Sequence, residues 1–280
     1  MTTADSRSAA VNEGIEIAKT IAYALLIALA LRIFLFQPYT IPSASMEPNL
    51  YEGDYIIVSK YSYGYSKHSI PFSPPLFHGR IFNHAPQRGD IIVFKLPREA
   101  GTTRVDYIKR LIGLPGDQIQ VKQGLVYINN KPVVRRPAPE GQEVMDTGIV
   151  GPVARYWETT PTGRTFLTNS YGPDSPAENT GVYVVPPHCY FMMGDNRDDS
   201  LDSRFDPAMP VTATGTSTCA WDTSVDKFVP NDEGVGFVPE EDLVGRARII
   251  LLSWKPGASL FKPWTWVLNF RPSRSFHILK

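Results

Sequence analysis

Val105-Asp106-Tyr107-Ile108-Lys109-Arg110-Leu111-Ile112 runs directly into Gly113-Leu114-Pro115-Gly116-Asp117. The first part is rich in β-branched and aromatic residues and alternates in part, so it reads as a strand. The Gly-Leu-Pro-Gly-Asp run that stops it is a strong turn signal. The same grammar recurs on both sides. Asp54-Tyr55-Ile56-Ile57-Val58 and Asp90-Ile91-Ile92-Val93-Phe94 are short β-rich runs, each entered through a Gly-Asp pair. Val121 to Ile128, followed by Asn129-Asn130, predicts one further strand and a turn. Val182–Val185, Tyr190–Met193 and Arg248–Leu252 complete the set. Short strands without long helical patterns between them predict a mainly β chain built on a coiled antiparallel sheet.

One segment breaks the pattern. Ile21 to Leu31 is entirely apolar, and after Arg32 the run resumes with Ile33-Phe34-Leu35-Phe36. A helix over 15–36 would rise roughly 30 Å at ~1.5 Å per residue, about the hydrocarbon thickness of a bilayer. A cleaved signal peptide would be shorter and have a small-residue site close behind it, whereas Ser43-Ala44-Ser45 lies well past the run. The reading favoured is an uncleaved signal anchor with Arg32 snorkelling at its outer end. Arg7 and Lys19 precede the apolar run that begins at Ile21, and no Lys or Arg follows Arg32 until Lys60, which favours a cytoplasmic N-terminus.

Charge is balanced, with 28 Lys+Arg against 28 Asp+Glu, so neither a nucleic-acid binder nor a polybasic membrane clamp is indicated. Cys189 and Cys219 are too few for a disulfide scaffold and too far apart for a zinc knuckle. Two free core thiols and one bridge are both open, and a bridge requires an oxidising compartment. No His/Cys/carboxylate cluster has ligand spacing, so no metal or other cofactor is expected. The expected organisation is an N-terminal segment 1–14, an anchor 15–36, a β domain over 37–134 and 180–280, and a smaller inserted β-rich subdomain over 135–179. Two loops stand out, 61–87 and an insertion over 205–235.

Four blocks carry the candidate chemistry. They are Ile41-Pro42-Ser43-Ala44-Ser45-Met46-Glu47-Pro48-Asn49-Leu50, Arg88-Gly89-Asp90, Asp106 to Asp117, and Gly194-Asp195-Asn196-Arg197-Asp198-Asp199-Ser200-Leu201-Asp202-Ser203-Arg204. Each alone describes an ordinary turn or polar loop. In this order, behind an apolar anchor, they resemble bacterial type I signal peptidases, the leader peptidase family of Ser-Lys proteases. Gly245-Arg246-Ala247 after Val238-Pro239 also fits. The one departure is the insertion Phe205 to Val235, where the family runs almost directly into its Gly-x-Val-Pro segment, here Gly236-Phe237-Val238-Pro239.

The chemistry of the residues agrees with that resemblance. A serine hydroxyl is a poor nucleophile unless a base takes its proton. None of the five histidines is placed convincingly for that task. A lysine can serve if burial lowers its pKa from ~10.4 toward the working pH. The resemblance implies that Ser45 is the nucleophile and Lys109 the general base. It further implies that Ser43 joins the Ser45 N–H as oxyanion donor, that Ser200 orients the lysine, and that Asp202 and Arg204 hold their loop in shape. A substrate strand would add along Asp106 to Ile108, with Ile41, Met46 and Ile108 lining shallow pockets for alanine-sized side chains and Tyr39 and Leu50 as further walls. The implied activity is cleavage of signal peptides from exported preproteins after an Ala-x-Ala-like motif. The implied location is the bacterial inner (plasma) membrane, with the β domain on the extracytoplasmic side. The implied partners are preproteins, the bilayer and the secretion translocon. Two alternatives stand beside it: a pilin-maturing relative, and a non-catalytic membrane-tethered β module. A Ser-x-x-Lys acylase is set aside, because Pro48 occupies the position its lysine would need.

Overall fold

The computed structural model describes residues 3–97, 105–144, 150–172, 177–205, 219, 234–258 and 262–279. Helix α1 spans Thr3–Phe34. Its portion Asn12–Phe34 is long and apolar enough to cross a membrane, and none of it is buried against the rest of the chain. The helix thus begins before the expected 15–36 and stops short of its end. Leu35 N–H still bonds to Leu31 O at 2.9 Å, but Phe36 already opens strand β1, Phe36–Thr40. Pro38 disfavours a helical Gln37, and pairing of Phe36 with Ser59 captures the backbone instead.

Among the described residues fourteen further strands follow: β2 Asp54–Ser59, β3 Ile91–Lys95, β4 Asp106–Gly113, β5 Gln118–Lys122, β6 Leu125–Ile128, β7 Lys131–Pro132, β8 Val134–Val144, β9 Val150–Thr159, β10 Thr165–Ser170, β11 Tyr183–Val184, β12 Cys189–Met193, β13 Val238–Pro239, β14 Leu243–Ser253 and β15 His277–Ile278, with a short helix α2 at Trp264–Leu268. The main sheet has the order β1-β2-β14-β3-β4-β12-β13, with β15 on β14. Its pairings are antiparallel, and it has register shifts within β14 and between Phe191 and Met192 of β12. Such irregularities increase local twist and let a sheet coil.

Two smaller sheets, β11-β5-β6-β7 and β10-β9-β8, pack beside it. The first revises the single strand expected over 121–128. Gln123 and Gly124 both take positive φ (47° and 70°) and fold the run into a hairpin with Lys122 opposite Leu125. This is two-residue hairpin geometry, reached without the usual Asn-Gly pair. The second sheet lies within the stretch expected as an inserted β-rich subdomain. Loop 61–87 is held in place by Arg80, which donates to the carbonyls of Tyr63, Gly64, Glu240 and Leu243. Tyr65 OH ties the same loop to Phe34 O at the end of α1 (2.7 Å).

Cys189 and Cys219 are joined by a disulfide, which closes the question left by the sequence. Of the insertion 205–235, only Phe205, Cys219, Gly234 and Val235 are described; its remainder lies outside the described residues.

The core is divided by the main sheet. Ile41, Met46, Leu50, Ile56, Val58 and Ile250 pack on the side of β1, β2 and β14. Ile92, Phe94, Leu111, Met192, Val238 and Leu243 form a second group around β3, β4 and β12. Fully burying such a side chain contributes about 1.5–3 kcal/mol, so these groups fix where the strands and the connecting turns lie.

Candidate active site

The turn after β1 carries the first candidate residues. Ala44–Met46 forms one turn of 3-10 helix, closed by Glu47 N–H to Ala44 O at 2.9 Å. Met46 and Leu50 are wholly buried on either side of it, and Leu50 N–H bonds back to Met46 O. These two side chains plug the turn into the core. Ser45, the residue between a buried methionine and an exposed Ser43, is left half-buried at the surface of the sheet.

Lys109 reaches this turn from β4. It pairs with Ile92 on β3, and its side chain is 3 % exposed. Its Nζ lies 2.5 Å from Ser45 Oγ. Among the described residues no carboxylate comes within ion-pair distance of it, and Nζ also sits 5.7 Å from the centre of the Tyr107 ring. Burial lowers the Lys109 pKa to about 8, outweighing the opposite pull of Asp202, Asp195 and Asp199 at longer range. An amine lowered this far is uncharged in a fraction of molecules near neutral pH and in most of them above about 8, and in that form, beside a hydroxyl, it can take the hydroxyl proton as the oxygen attacks an electrophile.

The other expected residues fall into two groups. Ser43 Oγ stands 3.3 Å from Ser45 Oγ, exposed on the open side of the turn. Asp202 and Arg204 form a closed unit. Arg204 donates Nε to Oδ1 and Nη2 to Oδ2, both at 2.9 Å, while Gly194 N–H caps Oδ2 at 2.9 Å. Burial alone would raise the Asp202 carboxyl, but Arg204 and the backbone donors hold it below the ordinary range.

Ser200 departs from expectation. Its Oγ is buried with no hydrogen-bond partner, so the bond to Lys109 that the sequence led us to expect is not formed. Instead it crowds Gly194: a Cβ on that glycine would lie 2.2 Å from Ser200 Oγ and 2.6 Å from Ser45 O. The lysine's short contact is with Ser45 instead.

The residues expected to meet substrate are split by burial. Ile41, Met46 and Leu50 are at most 2 % exposed and belong to the core beneath the turn. Tyr39 and Ile108 are partly buried and pack against that same group. Burial and the neighbouring Asp106 carboxylate both push the Tyr39 hydroxyl pKa upward. β12 pairs with β4 only from Arg110 onward, so the Asp106–Ile108 segment is paired on its β3 side alone.

Sequence reading missed the scaffold that joins these parts. Arg110, next to Lys109 but on the opposite face, grips Asp195 through Nε–Oδ1 (2.6 Å) and Nη2–Oδ2 (2.7 Å), both residues fully buried. Arg197 pairs in the same bidentate way with Glu158 on β9 (3.1 and 2.6 Å). Asn49 Nδ2 bridges Leu167 O (2.7 Å) and Asp195 Oδ2 (2.8 Å). The signal available for the first pair was the arginine inside an apolar strand, which requires a buried carboxylate. Among the described residues no group of three or more His, Cys, Asp or Glu could hold a metal ion.

Comparison with known proteins places the chain in a family. The family model for signal peptidase, peptidase S26, matches residues 14–254. This chain belongs to that family. Its relatives include the signal peptidase I of Rickettsia typhi, 39 % identical over 241 residues covering 83 % of this chain and 78 % of the relative. The signal peptidase I of Rickettsia felis is also 39 % identical, over 242 residues covering 84 % and 78 %. A crystal structure of a signal peptidase I from Enterococcus faecalis V583 is 22 % identical, with TM-score 0.28, covering 58 % of this chain and 97 % of that one. The matched region runs from within α1 to the end of β14, so it contains Ser45, Lys109 and the Gly194–Arg204 block. As a member of the family, the enzyme is a peptidase.

Proposed function

We propose that this peptidase removes N-terminal signal peptides from exported preproteins, cutting after an Ala-x-Ala-like motif with Ser45 as nucleophile and neutral Lys109 as general base. The observation that carries the reading is the 2.5 Å contact between Lys109 Nζ and Ser45 Oγ in a setting that lowers the lysine pKa to about 8. As Ser45 Oγ attacks the scissile carbonyl, its proton passes to Nζ, and Lys109 then returns a proton to the leaving amine. The Ser45 backbone N–H and the Ser43 hydroxyl are the proposed donors to the oxyanion. One such donor is worth about 2.7–4 kcal/mol in an acyl-transfer transition state. The substrate strand adds to the free side of Asp106–Ile108, with Ile108 and Tyr39 as apolar contacts and Ile41 and Met46 as the floor below them.

The apolar α1 supports a single-pass anchor in the plasma membrane. The Cys189–Cys219 bridge supports a catalytic domain on the extracytoplasmic, oxidising side. That location would bring the site to preproteins as they leave the secretion translocon.

The test is cleavage of a preprotein carrying an Ala-x-Ala signal by detergent-solubilised enzyme, compared with Ser45→Ala and Lys109→Ala. Loss of activity in both variants, with a wild-type rate that climbs with pH through about 8, is the expected result. Undiminished cleavage by either variant sinks the mechanism.

A further inference from the structure

Glu143 lies on β8, within the sheet inserted between the two halves of the main one, and the chemistry above gives it no part. It is 5 % exposed. One carboxylate oxygen accepts from Asn169 Nδ2 at 2.8 Å, and the other accepts from Asn196 Nδ2 in a short contact. Asn196 in turn touches the turn that carries Ser45. Its backbone N–H donates to Ser45 O at 3.2 Å, and its Nδ2 lies 3.4 Å from Ala44 O and 3.2 Å from Tyr171 OH.

Asn169 is itself locked in place. Its N–H donates to Asp195 O at 3.0 Å, its O accepts from Arg197 N at 3.0 Å, and its side-chain oxygen accepts from Arg155 Nε at 3.1 Å. The carboxylate thus joins two carboxamides, one fixed by these bonds on β10 and the other in contact with the nucleophile turn.

A buried carboxylate is a costly way to attach one sheet to another. The inserted sheet already has attachments of its own, through Asn49 to Leu167 O and through the Arg197–Glu158 pair. What Glu143 adds is control over which way the Asn196 side chain points. Its charge is also felt at the far end of the turn. There, burial and the proximity of Glu143 together push the Glu47 carboxyl up to about 8, two residues past Ser45.

We propose that Glu143 is a positioning residue for the reaction: by fixing the Asn196 carboxamide it holds the Ala44–Ser45 backbone, and with it the Ser45 hydroxyl, in reach of Lys109. The inserted sheet is on this account a working part of the active site. The inference rests on the assignment of Ser45 and Lys109 given above. Misplacing a reacting group by about 1 Å can cost on the order of 10²-fold in rate, so a carboxylate two contacts away from the nucleophile has leverage on turnover.

The experiment compares wild type, Glu143→Ala and Glu143→Gln on a preprotein substrate, with kcat and KM separated and thermal melting recorded on each preparation. Glu143→Ala is expected to lower kcat by about tenfold or more, as for loss of a hydrogen bond to a charged group, with KM within about twofold. Glu143→Gln still offers one acceptor, to Asn196, while its NH2 faces the Asn169 Nδ2 donor, and it is expected to recover part of that loss. A purely structural role would lower the melting temperature and leave kcat unchanged in the folded fraction. The proposal is overturned if kcat of Glu143→Ala stays within about twofold of wild type, if KM alone rises, or if Gln does no better than Ala. Failure of the wild type to cleave at all would bring down the peptidase assignment itself, and this inference with it.

Discussion

Arg110 holds Asp195 through two nearly equal contacts, 2.6 and 2.7 Å, while Lys109, its neighbour on β4, points to the opposite face at Ser45. Alternation along one strand thus divides adjacent cations between structure and chemistry. Arg110 receives a carboxylate and stays charged; Lys109 receives none and is dried out. The pair also joins β4 to the segment after β12, which positions Asn196 under the Ser45 turn. Removing one partner leaves a buried, uncompensated charge. Asp195→Ala is therefore expected to cost about 3–5 kcal/mol, read as a lower midpoint in denaturant unfolding. A variant as stable as wild type would show that the pair carries no such weight.

Gly194 tests how closely the late block is fitted to the nucleophile turn. A Cβ there would come within 2.6 Å of Ser45 O and 2.2 Å of Ser200 Oγ. The Ser200 hydroxyl can rotate away, but Ser200 Cβ would lie 2.4 Å from the new methyl group, and the carbonyl belongs to the backbone that carries Ser45. Gly194→Ala should therefore displace the turn and reduce kcat by on the order of 10²-fold. Cleavage assays under saturating substrate decide it, and a normal kcat would mean that the turn yields without loss of geometry.

Strands of the main sheet were legible because their β-rich runs are bounded on one side by Gly-Asp pairs or by the Gly-Leu-Pro-Gly-Asp turn. The Asp54, Asp90 and Tyr190 runs all fall on strands of that sheet. The long apolar helix was legible by length and composition, but its end was not, since Phe36 is as apolar in a strand as in a helix. The β5–β6 hairpin escaped because Gln123-Gly124 lacks the dipeptide that normally marks such a turn. At the site, Ser45 and Lys109 could be named from short blocks far apart in the chain. Glu143, Asn169 and Glu158 could not, because a polar stretch gives no sign of which carboxylates will be enclosed when its strands pack onto the main sheet.

The Cys189–Cys219 bridge spans 30 residues and attaches the insertion to the start of β12. Closing a loop of that length is worth about 3–4 kcal/mol in the unfolded chain by the chain-entropy model. Reduction, or Cys219→Ser, should lower the melting temperature, while kcat at a temperature where the protein remains folded should be close to normal. Ser45 and Lys109 lie on the turn after β1 and on β4, not on the tethered segment. A large loss of kcat in folded, reduced enzyme would instead assign the insertion a part in catalysis.

Lys109 makes the most demanding prediction, because the same property that allows catalysis should weaken the fold. Burial brings its pKa from 10.5 down to about 8, so between these values the unfolded chain holds a proton that the folded enzyme has released. Stability must then rise as pH increases through that window, since the unfolded state binds more protons there. Below about 8 both states are protonated, and the folded enzyme carries a buried ammonium at a cost on the order of 3 kcal/mol. Lys109→Met removes the charge and retains most of the volume. The variant should be inactive yet more stable than wild type at pH 7, and its stability should rise less steeply than that of wild type between about 8 and 10.5, where buried Lys60, also lowered to about 8, keeps a slope of its own. Denaturant titrations of both proteins across that range measure the slope directly. A methionine variant less stable at neutral pH, or one whose slope equals that of wild type, would show that Lys109 is well solvated in the folded enzyme.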